Sequence, residues 1–172
     1  MGLAAVGAGN RAPMPDQELL DVYLSDHFAG ATGGLELAER MADTQPDAAV
    51  LRQIAAEIES DRQELRKIMD ATGVRPPLLK TALGWIGEKA ARLKLNERLF
   101  GRSPLSDVLE LEGMIVGVSG KLQLWRALGQ AAEGDSRLAP FGFERLASAA
   151  EGQRKRLEAL HRKAIERALR QT

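Results

Sequence analysis

The chain has 172 residues, 24 basic and 24 acidic side chains, two histidines and no cysteine. That length supports one domain with a substantial core. Without cysteine there is no disulfide framework, thiolate metal site or catalytic thiol, and the balanced charge argues against a wholesale nucleic-acid binder. No run of about 18 uncharged apolar residues is present to span a membrane, so a soluble cytoplasmic protein is expected.

Residues 1–14 read as a flexible tail ahead of a single domain over 15–172. Within them GAGNRA, residues 7–12, spells the G-x-G-x-x-A of a dinucleotide loop. That loop works only between a strand and a helix, and here Pro13 and Pro15 follow at once, so a Gly/Ala leader is expected. Proline and glycine punctuation divides the rest into helices. The spacing predicts a first helix over 16–43, with Leu20, Tyr23, Leu24, His27, Ala31, Gly34, Ala38 and Met41 at steps of three and four. Thr44 followed three residues later by Asp47 reads as the start of a second helix. It runs over 46–71, with Leu51, Ile54, Ile58, Asp61, Leu65 and Ile68 inward, and Gly73 and Pro76-Pro77 stop it.

Residues 78–99 predict an amphipathic helix with Leu79, Leu83, Ile86, Ala90 and Leu93 on one side and Lys80, Lys89, Arg92, Lys94 and Arg98 on the other. Ser103-Pro104 opens a third long helix over 104–132. Its predicted stripe is Leu105, Val108, Leu109, Glu112, Ile115, Val116, Ser119 and Leu122. After the turn Gly134-Asp135-Ser136, a fourth helix over 140–170 places Leu146, Ala149, Gln153, Leu157, Leu160 and Ala164 inward. The four long helices match in length, with short loops inside each pair and a long connection between the pairs. That implies two antiparallel hairpins.

This layout resembles the ferritin-like superfamily: an all-α four-helix bundle, here with an extra amphipathic helix in the crossover between the second and third helices. The resemblance implies a di-metal site built from a Glu on the first and third helices and Glu-x-x-His on the second and fourth. The pattern is incomplete. The second helix has EIESDRQE and no histidine; the fourth has Glu158-Ala159-Leu160-His161, whose ends flank its apolar line. His27, Asp61, Glu57 and Glu112 are the candidate metal ligands, with iron or manganese as the implied metal.

Four polar residues interrupt the inward stripes: His27, Asp61, Glu112 and Gln153. Each needs a partner, because burying one alone costs a few kcal/mol. Counting from the turn near residue 45 places His27 level with Asp61, whose carboxylate would hold the ring protonated near neutral pH. The expected role is a buried polar pair that sets helix register. Counting from the second turn places Glu112 level with His161. Gly30-x-x-x-Gly34 with Gly33, and Gly113-x-x-x-Gly117 with Gly120, are expected to let helices approach closely; the alternative is a void beside His27 for a ligand.

Charge is uneven: residues 16–72 hold 13 acids against 5 bases, and residues 73–103 hold 7 bases against 2 acids. The functional expectation is a structural or interaction protein that self-associates. The alternatives are a degenerate carboxylate/histidine metalloprotein that stores metal or performs oxidation, and a binder of anionic membranes or nucleic acid through residues 78–100.

Overall fold

A computed structural model describes residues 15–75 and 103–170. Within these ranges the chain forms four long helices: α1 (Gln17–Thr44), α2 (Ala48–Thr72), α3 (Pro104–Ala131) and α4 (Phe143–Leu169). The expected helices agree with these to within three residues at every end. The leader, the GAGNRA stretch and the crossover helix expected over 78–99 lie outside the described residues.

Local chemistry sets the helix ends. Asp16 caps α1, its Oδ1 accepting from the backbone N–H groups of Glu18 and Leu19 at 2.9 and 3.3 Å, which satisfies donors that the first turn otherwise leaves free. Gly73 stops α2 in the left-handed region at φ 77°, where a side chain would be strained. Its N–H reaches the Asp70 carbonyl, and the Val74 N–H reaches the Met69 carbonyl at 2.9 Å, closing a Schellman motif. Ser103 precedes α3 and donates its N–H to Ser106 Oγ at 3.3 Å. One expected start is corrected. Thr44 does not cap α2; it is the last residue of α1, and its hydroxyl donates back to the Arg40 carbonyl at 2.7 Å. Asp47 occupies the cap position instead.

The helices pair as two hairpins, α1 with α2 and α3 with α4, and dock as a four-helix bundle. Across the seam between hairpins, Arg40 and Gln45 on the α1 side reach Glu110 early in α3. Glu57 of α2 meets Arg156 of α4, and Asp47 meets Lys163. Every helix is therefore antiparallel to both neighbours. It follows that α2 ends, and α3 begins, at opposite ends of the bundle. At the end where α2 stops, Arg137 of the α3–α4 loop pairs with buried Asp135. It also donates to Gln17 Oε1 and to the Thr72 carbonyl, both at 3.0 Å, joining both hairpins there.

The apolar core is split in two. One cluster gathers Leu20, Leu24, Leu65, Ile68, Trp125, Leu128 and Leu146 near the Arg137 end. The other gathers Met41, Leu51, Ile54, Leu111, Met114, Leu157 and Leu160 near the α1–α2 loop. The expected inward line of α2 is buried throughout. That of α3 is rotated: Leu105, Leu109 and Val116 are exposed, Val116 at 72%, while Val108, Leu111, Met114, Val118 and Leu122 are buried. The segment LELEGMIVGV is apolar on more than one side, so spacing alone does not choose its face. Tyr23 and Ala149 also sit outside the core. Among the described residues no helix is long and apolar enough to cross a membrane.

Candidate functional site

Between the two clusters lies a polar layer with a cavity beside it. On α2, α3 and α4 the layer is Asp61, Lys121 and Gln153. Lys121 Nζ donates to Asp61 Oδ2 at 2.5 Å and also to Gln153 Oε1, and Gln153 Nε2 donates to the same Asp61 oxygen at 3.2 Å. The three side chains are mutually satisfied, as buried polar groups must be. Burial pushes the Lys121 amine below its usual range, and the Asp61 carboxylate opposes that shift. Glu57, one turn along α2 from Asp61, is held by both Nη atoms of Arg156, at 2.9 and 2.5 Å. Burial works to raise its carboxyl, but the Arg156 bonds outweigh it and hold it below the ordinary glutamate value.

On α1 the layer is hollow. That helix buries Leu20, Leu24, Ala38, Met41 and Ala42 and nothing between Leu24 and Ala38. Gly30, Gly33 and Gly34 fall in that interval and face Gly113, Gly117 and Gly120 of α3 across a cavity of about 670 Å³. Among the described residues a Cβ built on Gly30, Gly34, Gly117 or Gly120 would meet no atom within 4 Å, and one on Gly113 meets only Leu37, at 3.9 Å. These glycines line space among the described residues, the second reading of their spacing, while α1 and α3 are also the helices that approach most closely across the two hairpins. Each glycine costs roughly 1 kcal/mol relative to alanine inside a helix, and of Gly30, Gly34, Gly113, Gly117 and Gly120 only Gly113 packs against a described neighbour, Leu37. Leu37, Ile58, Leu65, Met114, Val118 and Leu124 supply the apolar wall, and Asp26, His27, Glu36, Arg40, Asp61, Arg62 and Lys121 the polar part. Trp125 also lines it, and its buried indole N–H finds no acceptor among the described residues.

The sequence-derived ligand set is not brought together. His27 and Asp61 line the same cavity, but Asp61 bonds to Lys121 and Gln153, and His27 packs its ring edge-on to Tyr23 at 4.7 Å. The expectation of a protonated His27 held by Asp61 is corrected as well: burial lowers the imidazole pKa, only partly countered by Asp26. Glu57 is engaged by Arg156. Glu112 is half exposed and meets His161 Nε2 at 3.1 Å, the level pairing read from the sequence. Among the described residues no three His, Asp or Glu side chains are placed to hold a metal ion.

Two central residues escaped the sequence reading. Lys121 was not expected inside, since lysine is almost never buried unless paired. A signal existed: it is the one basic residue over 104–125, and an inward Asp61 and Gln153 call for a cation. Glu110 is buried at 1% exposure, accepting from Arg40 at 3.1 Å and Gln45 at 2.8 Å. Its neighbours Leu109 and Leu111 made either face plausible. Comparison of the chain with protein-family models, curated proteins and solved structures gives no match.

Proposed function

We propose that this protein binds a small, largely apolar molecule in the cavity between α1 and α3. The carrying observation is that six glycines on two helices line one cavity, and a Cβ on four of them, Gly30, Gly34, Gly117 and Gly120, would meet nothing among the described residues. The cavity volume lies within the range of small-molecule pockets, roughly 300–1,000 Å³, and its wall combines apolar side chains with a few polar groups. Helix order, antiparallel neighbours and a connection between opposite ends of the bundle support the likeness to ferritin-like proteins. The metal chemistry of that superfamily has less support here, since Asp61, Glu57 and Glu112 are each engaged by another side chain.

The test is titration with the uncharged fluorophore N-phenyl-1-naphthylamine. The expected result is saturable fluorescence enhancement at one probe per chain, lost in the double variant Gly34→Leu, Gly117→Leu while thermal stability is retained. No enhancement in the wild type, or equal enhancement in the filled variant, overturns the reading.

A second reading, self-association, rests on a separate observation. Leu105, Leu109 and Val116, spaced by four and seven on one side of α3, are exposed large apolar side chains, and a contiguous apolar stripe of this kind marks an interaction face. Sedimentation velocity on wild type and Leu109→Glu, Val116→Glu tests it: a monomer in both ends this reading and leaves the first intact.

A further inference from the structure

We infer that the cavity selects uncharged ligands, an apolar body carrying one hydroxyl or carbonyl, and rejects carboxylates, phosphates and ammonium groups. This rests on the ligand-binding reading above and adds the ligand's chemical class. It follows from how the charges lining the cavity are disposed. Lys121 is compensated by Asp61 at 2.5 Å, Arg40 by Glu110 at 3.1 Å and Arg62 by Glu59 at 2.8 Å. Burial lowers the His27 imidazole pKa from its ordinary value of 6.5, only partly countered by Asp26, so the neutral ring is favoured at neutral pH. The remaining acids, Asp26 and Glu36, are exposed, where water and salt screen them.

Among the described residues every cation lining this space already faces an acid, and the buried guanidinium donor left over, Arg40 Nε, can be met by an uncharged oxygen. A carboxylate approaching Lys121 comes up against Asp61, which already holds that ammonium. An ammonium group approaching Asp61 is repelled by Lys121. Either ion is desolvated without full compensation, which costs several kcal/mol. An uncharged oxygen function has no such conflict. Lys121 uses two of its three N–H donors on Asp61 and Gln153. Asp61 accepts both its bonds at Oδ2, leaving Oδ1 as an acceptor. A neutral His27 adds one donor and one acceptor. A hydroxyl matches either kind of group, and a carbonyl matches the donors.

The experiment displaces N-phenyl-1-naphthylamine with four probes of one shape: naphthalene, 2-naphthol, 2-naphthoate and 2-naphthylmethylammonium. In the wild type 2-naphthol is expected to compete at a concentration at least tenfold below either ion. In Asp61→Asn the unpaired Lys121 should improve 2-naphthoate at least tenfold relative to 2-naphthol. In Lys121→Met the unpaired Asp61 should do the same for the ammonium probe. The double variant Asp61→Asn, Lys121→Met, which removes both charges together, should return to the wild-type order. Should either ion compete as well as 2-naphthol in the wild type, the inference is overturned whether or not the variants fold. Probe binding with no discrimination sinks this inference alone; no probe binding sinks the ligand-binding reading with it.

Discussion

The two hairpins meet along two seams, built on opposite plans. Where α2 faces α4, matched polar groups join the helices: Asp47 with Lys163, Glu57 with Arg156, and Asp61 with Gln153, both directly and through Lys121. Where α1 faces α3, the middle of the seam is glycine on both sides and the space is open. At mid-bundle one seam is specified by side-chain complementarity and the other by the removal of side chains; only towards its end is the α1–α3 seam joined by polar pairs, Arg40 and Gln45 on Glu110. A bundle needs only enough complementarity to fix its register, so among the described residues the second seam can stay open.

Breaking the filled seam should have the largest effect. Asp61→Ala strands a buried ammonium, and removing one partner of a buried pair costs about 3–5 kcal/mol; urea unfolding should show the midpoint falling with the slope unchanged. Filling the hollow seam should act in the opposite direction. Gly34→Ala and Gly117→Ala place a methyl in open space on helical backbone without positive φ, so each should stabilise by about 0.5–1 kcal/mol. If the helices were in close contact there, the same changes would destabilise.

A smaller effect is expected at Glu57 and Arg156, both about a third exposed, where solvent screening limits the pair to about 1 kcal/mol. Because the folded carboxyl titrates below its ordinary value of 4.5, the contribution is present above that pH. It is lost as pH falls through the lower folded value. Glu57→Gln should flatten the acid limb of a stability profile there and leave the neutral limb slightly lower. The smallest effect should come from Glu112→Ala, whose half-exposed pair with His161 should change stability by less than about 0.5 kcal/mol.

Much of this arrangement is legible in the residues. Helix ends follow from Asp16, Gly73 and Ser103, because caps and the αL stop are local chemistry. The inward line of α2 reads correctly because polar residues on its other faces leave one apolar stripe. The Glu112–His161 pairing follows from counting residues away from a tight turn. The face of α3 does not read correctly, since Leu109 and Leu111 both satisfy a helical period and only the neighbouring helices decide between them. The partner of Asp61 does not read correctly either, for the same reason. Height along a helix can be counted from the turn, but which of Ser119 or Lys121 points inward depends on that undetermined rotation. The glycines could be located but not interpreted, because the same spacing suits a contact or a void.

The opposite placement of the end of α2 and the start of α3 also bears on how the chain assembles. Contacts inside each hairpin join segments that are near in sequence, whereas Glu57 and Arg156 lie 99 residues apart. Loop closure costs more over such spans, so this topology favours each pair of helices forming before the halves meet. In that order the last event of folding is the encounter that shapes the hollow between α1 and α3, and a molecule seated there would act as a wedge that guides the two halves into register.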